Sequence, residues 1–160
     1  MEDNSTIKKS SLNRGPETGR APLREISTDG EFEKLDERIL TALQAAGEKK
    51  AIDLVVLHLR GIATFTDYFV ITSGANQRQV QAISDEVVGN LKQAGTPAAR
   101  VEGYQSAEWI LLDYGDFIVH VFSDKSRTFY DLERLWRDGQ RVRLSGALAN
   151  ESTSFLRRES

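Results

Sequence analysis

Two apolar runs separated by a short polar connection constrain this chain more than any other feature. Trp109-Ile110-Leu111-Leu112 and Phe117-Ile118-Val119-His120-Val121-Phe122 flank Asp113-Tyr114-Gly115-Asp116. Apolar, β-branched and aromatic residues on either side of a Gly- and Asp-containing turn predict a β-hairpin. Around that hairpin the pattern alternates between helix and strand. Phe32, Leu35, Ile39, Leu40 and Leu43 recur at helical spacing and end at Gly47, and Thr28-Asp29-Gly30-Glu31 upstream has capping-box spacing. Residues 52–59 and 68–72 read as strands, the first a largely apolar, β-branched run and the second entered at Thr66-Asp67 and left at Ser73-Gly74. Val80, Ile83, Val87, Val88 and Leu91 mark a helix that opens near Ala75 or Asn76 and closes at Gly95-Thr96-Pro97. A short strand at Arg100-Val101-Glu102 and a last helix over residues 126–137 complete the pattern. Phe129, Leu132 and Leu135-Trp136 lie on or near one face of that helix. The fold class expected is α/β, a mixed β-sheet flanked by helices.

Residues 1–28 are rich in Ser, Thr, Asn, Gly and Pro and carry no aromatic residue. They bury too little apolar surface to offset the entropy of ordering, so a disordered N-terminal tail is expected there. The segment 140–160 is expected to be a flexible C-terminal tail, which leaves residues 29–139 as the single folded domain. No run approaches the ~20 apolar residues of a membrane helix. Met1-Glu2-Asp3-Asn4 resembles neither a secretory signal nor an Arg-rich transit peptide. The absence of cysteine removes disulfides, thiolate chemistry and cysteine-bound zinc, and fits a cytoplasmic location. Between residues 31 and 139 there are 17 acidic and 12 basic side chains. A direct nucleic-acid binder needs a basic face, so that excess of acid points instead to a basic protein as partner.

Asp67-Tyr68-Phe69-Val70-Ile71-Thr72-Ser73-Gly74, followed by Gln79 and Val80, forms one ordered block of residues. Glu102-Gly103, Trp109, Asp113, Gly115-Asp116, Val119-His120-Val121-Phe122, Arg127, Tyr130, Leu132-Glu133 and Leu135-Trp136 form another. In these blocks, over about residues 32–137, the chain resembles the ribosomal silencing factors, also called the Iojap family. His58 departs from the pattern, where the resemblance would place an acidic residue. The resemblance implies a nucleotidyltransferase-like fold without the catalytic carboxylates. It also implies binding to the large-subunit ribosomal protein numbered fourteen, on the face that meets the small subunit. Occupying that face would block subunit joining and repress translation. Organellar relatives serve in large-subunit assembly, so the alternative role is an assembly factor using the same site, and isolated members can form homodimers. A membrane partner is not implied, and neither is nucleic acid as the main contact.

Trp109 carries two readings: a core residue at the start of a strand, or the anchor of an interface, where tryptophan is over-represented. The polar neighbours Ser106 and Glu108 and the resemblance favour the anchor. Asp113 and Asp116 serve turn chemistry, or pair with basic groups of a partner, with Glu102 and Glu108 adding to the acidic surface. Arg127, Tyr130 and Glu133 are spaced three apart, which puts them on one helical face, either solvated or at the rim of the binding patch. His120 shares a strand face with Ile118 and Phe122 and is expected to be a buried, hydrogen-bonded imidazole. Asp67 is a supporting residue, and Trp136 is expected to pack the last helix onto the sheet.

The enzymatic alternative is a nucleotidyltransferase, since Ser73-Gly74 follows a strand. Such a site needs closely spaced carboxylates for Mg²⁺. Asp116 has no partner two residues on, and Asp85-Glu86 point apart on a helix. No Walker loop or dinucleotide fingerprint is present, and the two histidines, His58 and His120, have no metal-ligand spacing. The expectation is a binding protein without catalysis, cofactor or metal.

Overall fold

The computed structural model describes residues 35–144. The elements are α1 (Glu37–Glu48), β1 (Ile52–His58), β2 (Tyr68–Gly74), α2 (Gln77–Gln93), β3 (Arg100–Glu102), β4 (Trp109–Asp113), β5 (Phe117–Ser123), α3 (Asp124–Tyr130), α4 (Leu132–Leu135) and β6 (Gln140–Val142). The six strands form one sheet in the order β3-β4-β5-β2-β1-β6. Every pairing is antiparallel except β2 with β5. The α/β class with a mixed sheet is therefore correct.

The predicted hairpin is present, with Trp109 opposite Phe122 and Asp113 opposite Ile118. Its turn closes because the Asp113 carboxylate accepts the Gly115 N–H at 2.8 Å while Gly115 takes a φ of +85°, the conformation glycine adopts without a Cβ penalty. The strands β2 and β5 in the middle of the sheet are buried on both faces, which is why their sequences run apolar without alternation.

One face of the sheet is covered by α1 and α2, whose Ile39, Leu43, Val80, Ile83, Val87 and Leu91 pack over Val56, Val70, Val119 and Ile110. Asn76 caps α2 by accepting the Gln79 N–H at 2.9 Å. The Gln79 amide in turn accepts from Ala75 N–H and donates to the carbonyls of Lys49 and Lys50, tying α2 to the turn that enters β1. The opposite face presents Val55, Leu57, Phe69, Ile71, Ile118 and Phe122. These six are buried, with Leu59, Leu132 and Trp136 packed in the same cluster, and the face opens at β4, where Trp109 and Leu111 are only partly buried.

Three boundaries differ from those expected. Asp36 caps α1, its carboxylate accepting the Arg38 N–H at 2.8 Å, so Leu35 precedes the helix. The Thr28–Asp29 cap and Phe32 lie outside the described residues. The last helix is two helices, because Asp131 adopts a left-handed φ of +49° between them. The folded part also runs beyond residue 139. Gln140–Val142 pairs with β1, burying Val142 where a flexible tail had been expected. Three residues with a single buried side chain give no readable strand period, so β6 carries no sequence signal.

Candidate protein-interaction site

The partly covered face of the sheet carries a run of aromatic rings that begins inside and ends in solvent. Phe69 on β2 and His120 on β5 form its floor, with ring centroids 4.4 Å apart and planes at 74°. Trp109 on β4 lies over Phe122 at 4.9 Å and against Tyr130 at 4.8 Å, and Tyr130 touches Phe129 at 4.9 Å. On the other side Trp136 meets Phe69 at 5.6 Å and Phe65 at 5.9 Å. The outer members are open: Phe129 is 77% exposed, Phe65 55% and Tyr130 49%, and Leu135, beside Trp136 in sequence, is 73% exposed. Large apolar side chains gathered in one surface region, rather than scattered singly, mark a binding surface.

Trp109 is part-buried, standing between these layers. Its indole N–H donates to His120 Nδ1 at 3.1 Å. His120 is 3% exposed and shares its face with Ile118 and Phe122. Burial pushes the imidazole down to about 3. The sign of the resulting pH dependence follows. Near the unperturbed value of about 6.5 the unfolded chain binds a proton that the folded chain refuses. Stability is therefore complete above about pH 6.5 and falls as the pH drops toward 3, at up to about 1.4 kcal/mol per pH unit. Urea unfolding of the wild type and of His120→Phe between pH 4 and 7.5 tests this, the variant losing that part of the slope. Equal slopes in both proteins would show that His120 does not refuse the proton.

The other candidate residues are distributed differently from the expectation. Asp113 and Asp116 lie at the turn end of the hairpin, while Trp109 lies at the opposite end of β4, four residues or about 13 Å away along the strand. Asp113 holds the turn and faces Arg100 at 3.3 Å, and Asp116 pairs with Arg38 at 2.9 Å while remaining 70% exposed. Asp67 braces the same end, its N–H donating to the Asp116 carbonyl at 2.9 Å and its carbonyl accepting from Leu59 at 2.7 Å.

Arg127 and Glu133 do not form an open helical face with Tyr130. The break at Asp131 turns Glu133 back onto Arg127, at 2.9 Å, with side chains only 22% and 13% exposed respectively. Arg127 also donates to the Ile52 carbonyl at 3.1 Å and to Ser73 Oγ at 3.2 Å, which seats α3 and α4 on the sheet. Trp136 packs on that sheet face, as its edge contact with Phe69 shows. Glu108, beside Trp109, accepts from the hydroxyls of Ser123 at 2.9 Å and Ser126 at 3.1 Å, and these bonds hold its carboxyl below the usual range. His58 stacks on Tyr68, with centroids 4.7 Å apart, on the far face of the sheet from the aromatic run.

Phe65 and Ile62, in the connection between β1 and β2, were not singled out from sequence, where loop residues have no period to place them. Phe129 and Leu135 were placed with Leu132 and Trp136 on or near one face of a single helix. The turn at Asp131 removes the 3.6-residue continuity on which that placement depended and leaves both in solvent. Among the described residues no group of three or more His, Asp or Glu side chains could hold a metal ion. No helix among them is long and apolar enough to cross a membrane.

The structure is a mixed sheet with two helices on one face and an aromatic surface on the other. Comparison with known proteins names the family. Residues 33–159 match the family described as "Ribosomal silencing factor during starvation". A ribosomal silencing factor of Halalkalibacterium halodurans is 40% identical over 113 residues, which cover 71% of this chain and 97% of that protein. One of Bacillus subtilis is 40% identical over 97 residues, covering 61% and 82%. A crystal structure of a Bacillus halodurans protein superimposes with a TM-score of 0.61 at 40% identity, covering 68% of this chain and 98% of that one. The chain belongs to the ribosomal silencing factor family.

Proposed function

We propose that this chain binds the large ribosomal subunit through its ribosomal protein fourteen and excludes the small subunit from the same place, repressing translation without chemistry. Family membership supports the ribosomal partner. The observation that carries the mode of action is the run from part-buried Trp109 through Tyr130 to exposed Phe129 on an otherwise well-packed domain. Such a surface supplies affinity through burial and shape, as competitive binding requires. Trp109 and Tyr130 act as anchors in this reading. Asp116 remains open enough to steer a basic partner, while Arg127 and Glu133 act through the seating of α3 and α4.

Sedimentation of purified subunits with wild type and with Trp109→Ala tests the proposal. Wild type should travel with the large subunit and reduce the joined particles. Trp109→Ala should lose on the order of 2 kcal/mol of binding, roughly a thirtyfold drop in affinity, while keeping its fold. Failure of the wild type to travel with the large subunit would overturn the partner. A folded Trp109→Ala that binds equally well would overturn the surface.

A further inference from the structure

His120 is an exception in its layer: among the described residues it is the one buried titratable side chain of the sheet face that carries Val55, Leu57, Phe69, Ile71, Ile118 and Phe122. A phenylalanine or leucine would fill the same place without a polar atom to desolvate. The contact that distinguishes imidazole from those residues is the 3.1 Å bond from the Trp109 indole N–H to Nδ1. Indole nitrogen can only donate, so Nδ1 must hold a lone pair, and the ring is neutral with its proton on Nε2. That Nε2 has no hydrogen-bond partner among the described residues, and the Phe69 ring stands across from the imidazole at 74°. One nitrogen is thus left without a bond while the other receives Trp109.

The strand register makes this bond possible. Trp109 pairs with Phe122 and Leu111 with His120, so Trp109 and His120 are diagonal neighbours across β4 and β5, a spacing that long aromatic side chains bridge. β5 is buried on both faces from Phe117 through Phe122, whereas β4 is one strand from the edge of the sheet. The fixed member of the pair is therefore His120, and the member whose ring reaches the surface is Trp109. A tryptophan in this place has two polar choices for its N–H: turn it outward to a partner or to water, or satisfy it within the fold. The observed bond commits it inward.

We propose that His120 is a positioning residue for binding: it holds the Trp109 indole N–H inside the fold, so that the ring meets its partner through hydrocarbon alone. This rests on the reading of Trp109 as an anchor. It adds that the partner presents an apolar pocket at this point rather than a hydrogen-bond acceptor. It also makes the rotamer of the anchor a property of the free protein, which reduces the ordering cost of association.

The test uses the full-length chain and purified large subunits, with His120→Phe, His120→Asn, Trp109→Phe and the double variant Trp109→Phe/His120→Phe. Phenylalanine keeps the ring and removes the acceptor, while the asparagine amide oxygen can stand near the position of Nδ1. In ¹⁵N spectra the Trp109 indole proton, assigned by its loss in Trp109→Phe, should move and exchange faster with solvent in His120→Phe. His120→Asn should return toward wild type. Affinity should fall about fivefold in His120→Phe, in line with one net hydrogen bond. Adding His120→Phe to Trp109→Phe should cost nothing further, because no indole N–H is left to hold. A merely structural histidine would lower affinity equally in both backgrounds, and that result overturns the proposal. An unchanged indole signal in His120→Phe overturns it as well. If Trp109→Ala binds like wild type while the indole signal responds to His120, the anchor reading is what has failed. Should His120→Phe not fold, the same comparison is made with His120→Asn against His120→Leu.

Discussion

Gly103→Ala should destabilise this protein by more than 4 kcal/mol, enough to leave much of a marginally stable domain unfolded. Two effects combine at that position. Gly103 has a φ of +81°, and a methyl group there would overlap the carbonyl oxygen of Trp109, backbone that cannot rotate away. The positive φ alone is the smaller effect, since Lys50, Asp53, Ala107 and Asp131 adopt such angles in the same fold. It costs about 1 kcal/mol for alanine in place of glycine. Gly115 provides the comparison, with a φ of +85° and nothing within 4 Å of where the methyl group would sit. Gly115→Ala should therefore cost only about 1 kcal/mol. Urea unfolding of both variants decides the matter: equal losses would mean that the close approach of Gly103 to β4 carries no energy. Gly103 sits where the chain leaves β3 and passes beneath the start of β4, so the same substitution should displace Trp109 and weaken ribosome binding in the molecules that remain folded.

Arg127→Ala should cost about 2–3 kcal/mol, the second large effect. Its guanidinium joins three elements at once: Glu133 at 2.9 Å, the Ile52 carbonyl at 3.1 Å and Ser73 Oγ at 3.2 Å. Removing one partner of a well-buried ion pair costs about 3–5 kcal/mol, and the figure is reduced here because both side chains keep some contact with water. Two of the abandoned groups retain other bonds. The Ile52 carbonyl still accepts from Thr72 Oγ1 at 2.7 Å, and Glu133 keeps the exposed Arg141 at 3.6 Å. Glu133→Gln should cost only about 1 kcal/mol, because Arg127 keeps its bonds to β1 and β2. If Glu133→Gln proves the more damaging of the two, then the salt bridge and not the three-way tie holds α3 and α4 to the sheet. Loosening those helices also unseats Phe129, Tyr130 and Leu135, so on the proposed function Arg127→Ala should bind large subunits more weakly than its stability loss alone explains.

Much of the architecture is legible in residue order. The hairpin is readable because Asp113, Gly115 and the flanking apolar runs are local signals, and the helix start near Ala75 or Asn76 is readable for the same reason. The placing of His120 on the face of Ile118 and Phe122 needs only the two-residue period of a strand. The run of residues 68–72 identifies a strand but is silent on its neighbours. A strand buried on both faces shows no alternation to distinguish parallel pairing with β5 from any other arrangement.

What only the tertiary structure decided are the relations between residues distant in sequence. The bond from Trp109 to His120 depends on the register of β4 against β5, which a one-residue slip would destroy by turning Trp109 to the other face. The reversal of Glu133 onto Arg127 depends on Asp131, a residue whose left-handed conformation breaks a helix that the pattern of apolar residues had continued. By itself the sequence determined the elements other than β6 and the break at Asp131, the hairpin and the family resemblance, because each rests on neighbouring side chains or on the order of blocks. The tertiary structure decided which aromatic rings meet, which charges are consumed inside the fold and which apolar residues face solvent. These depend on packing between segments, and no local pattern records them.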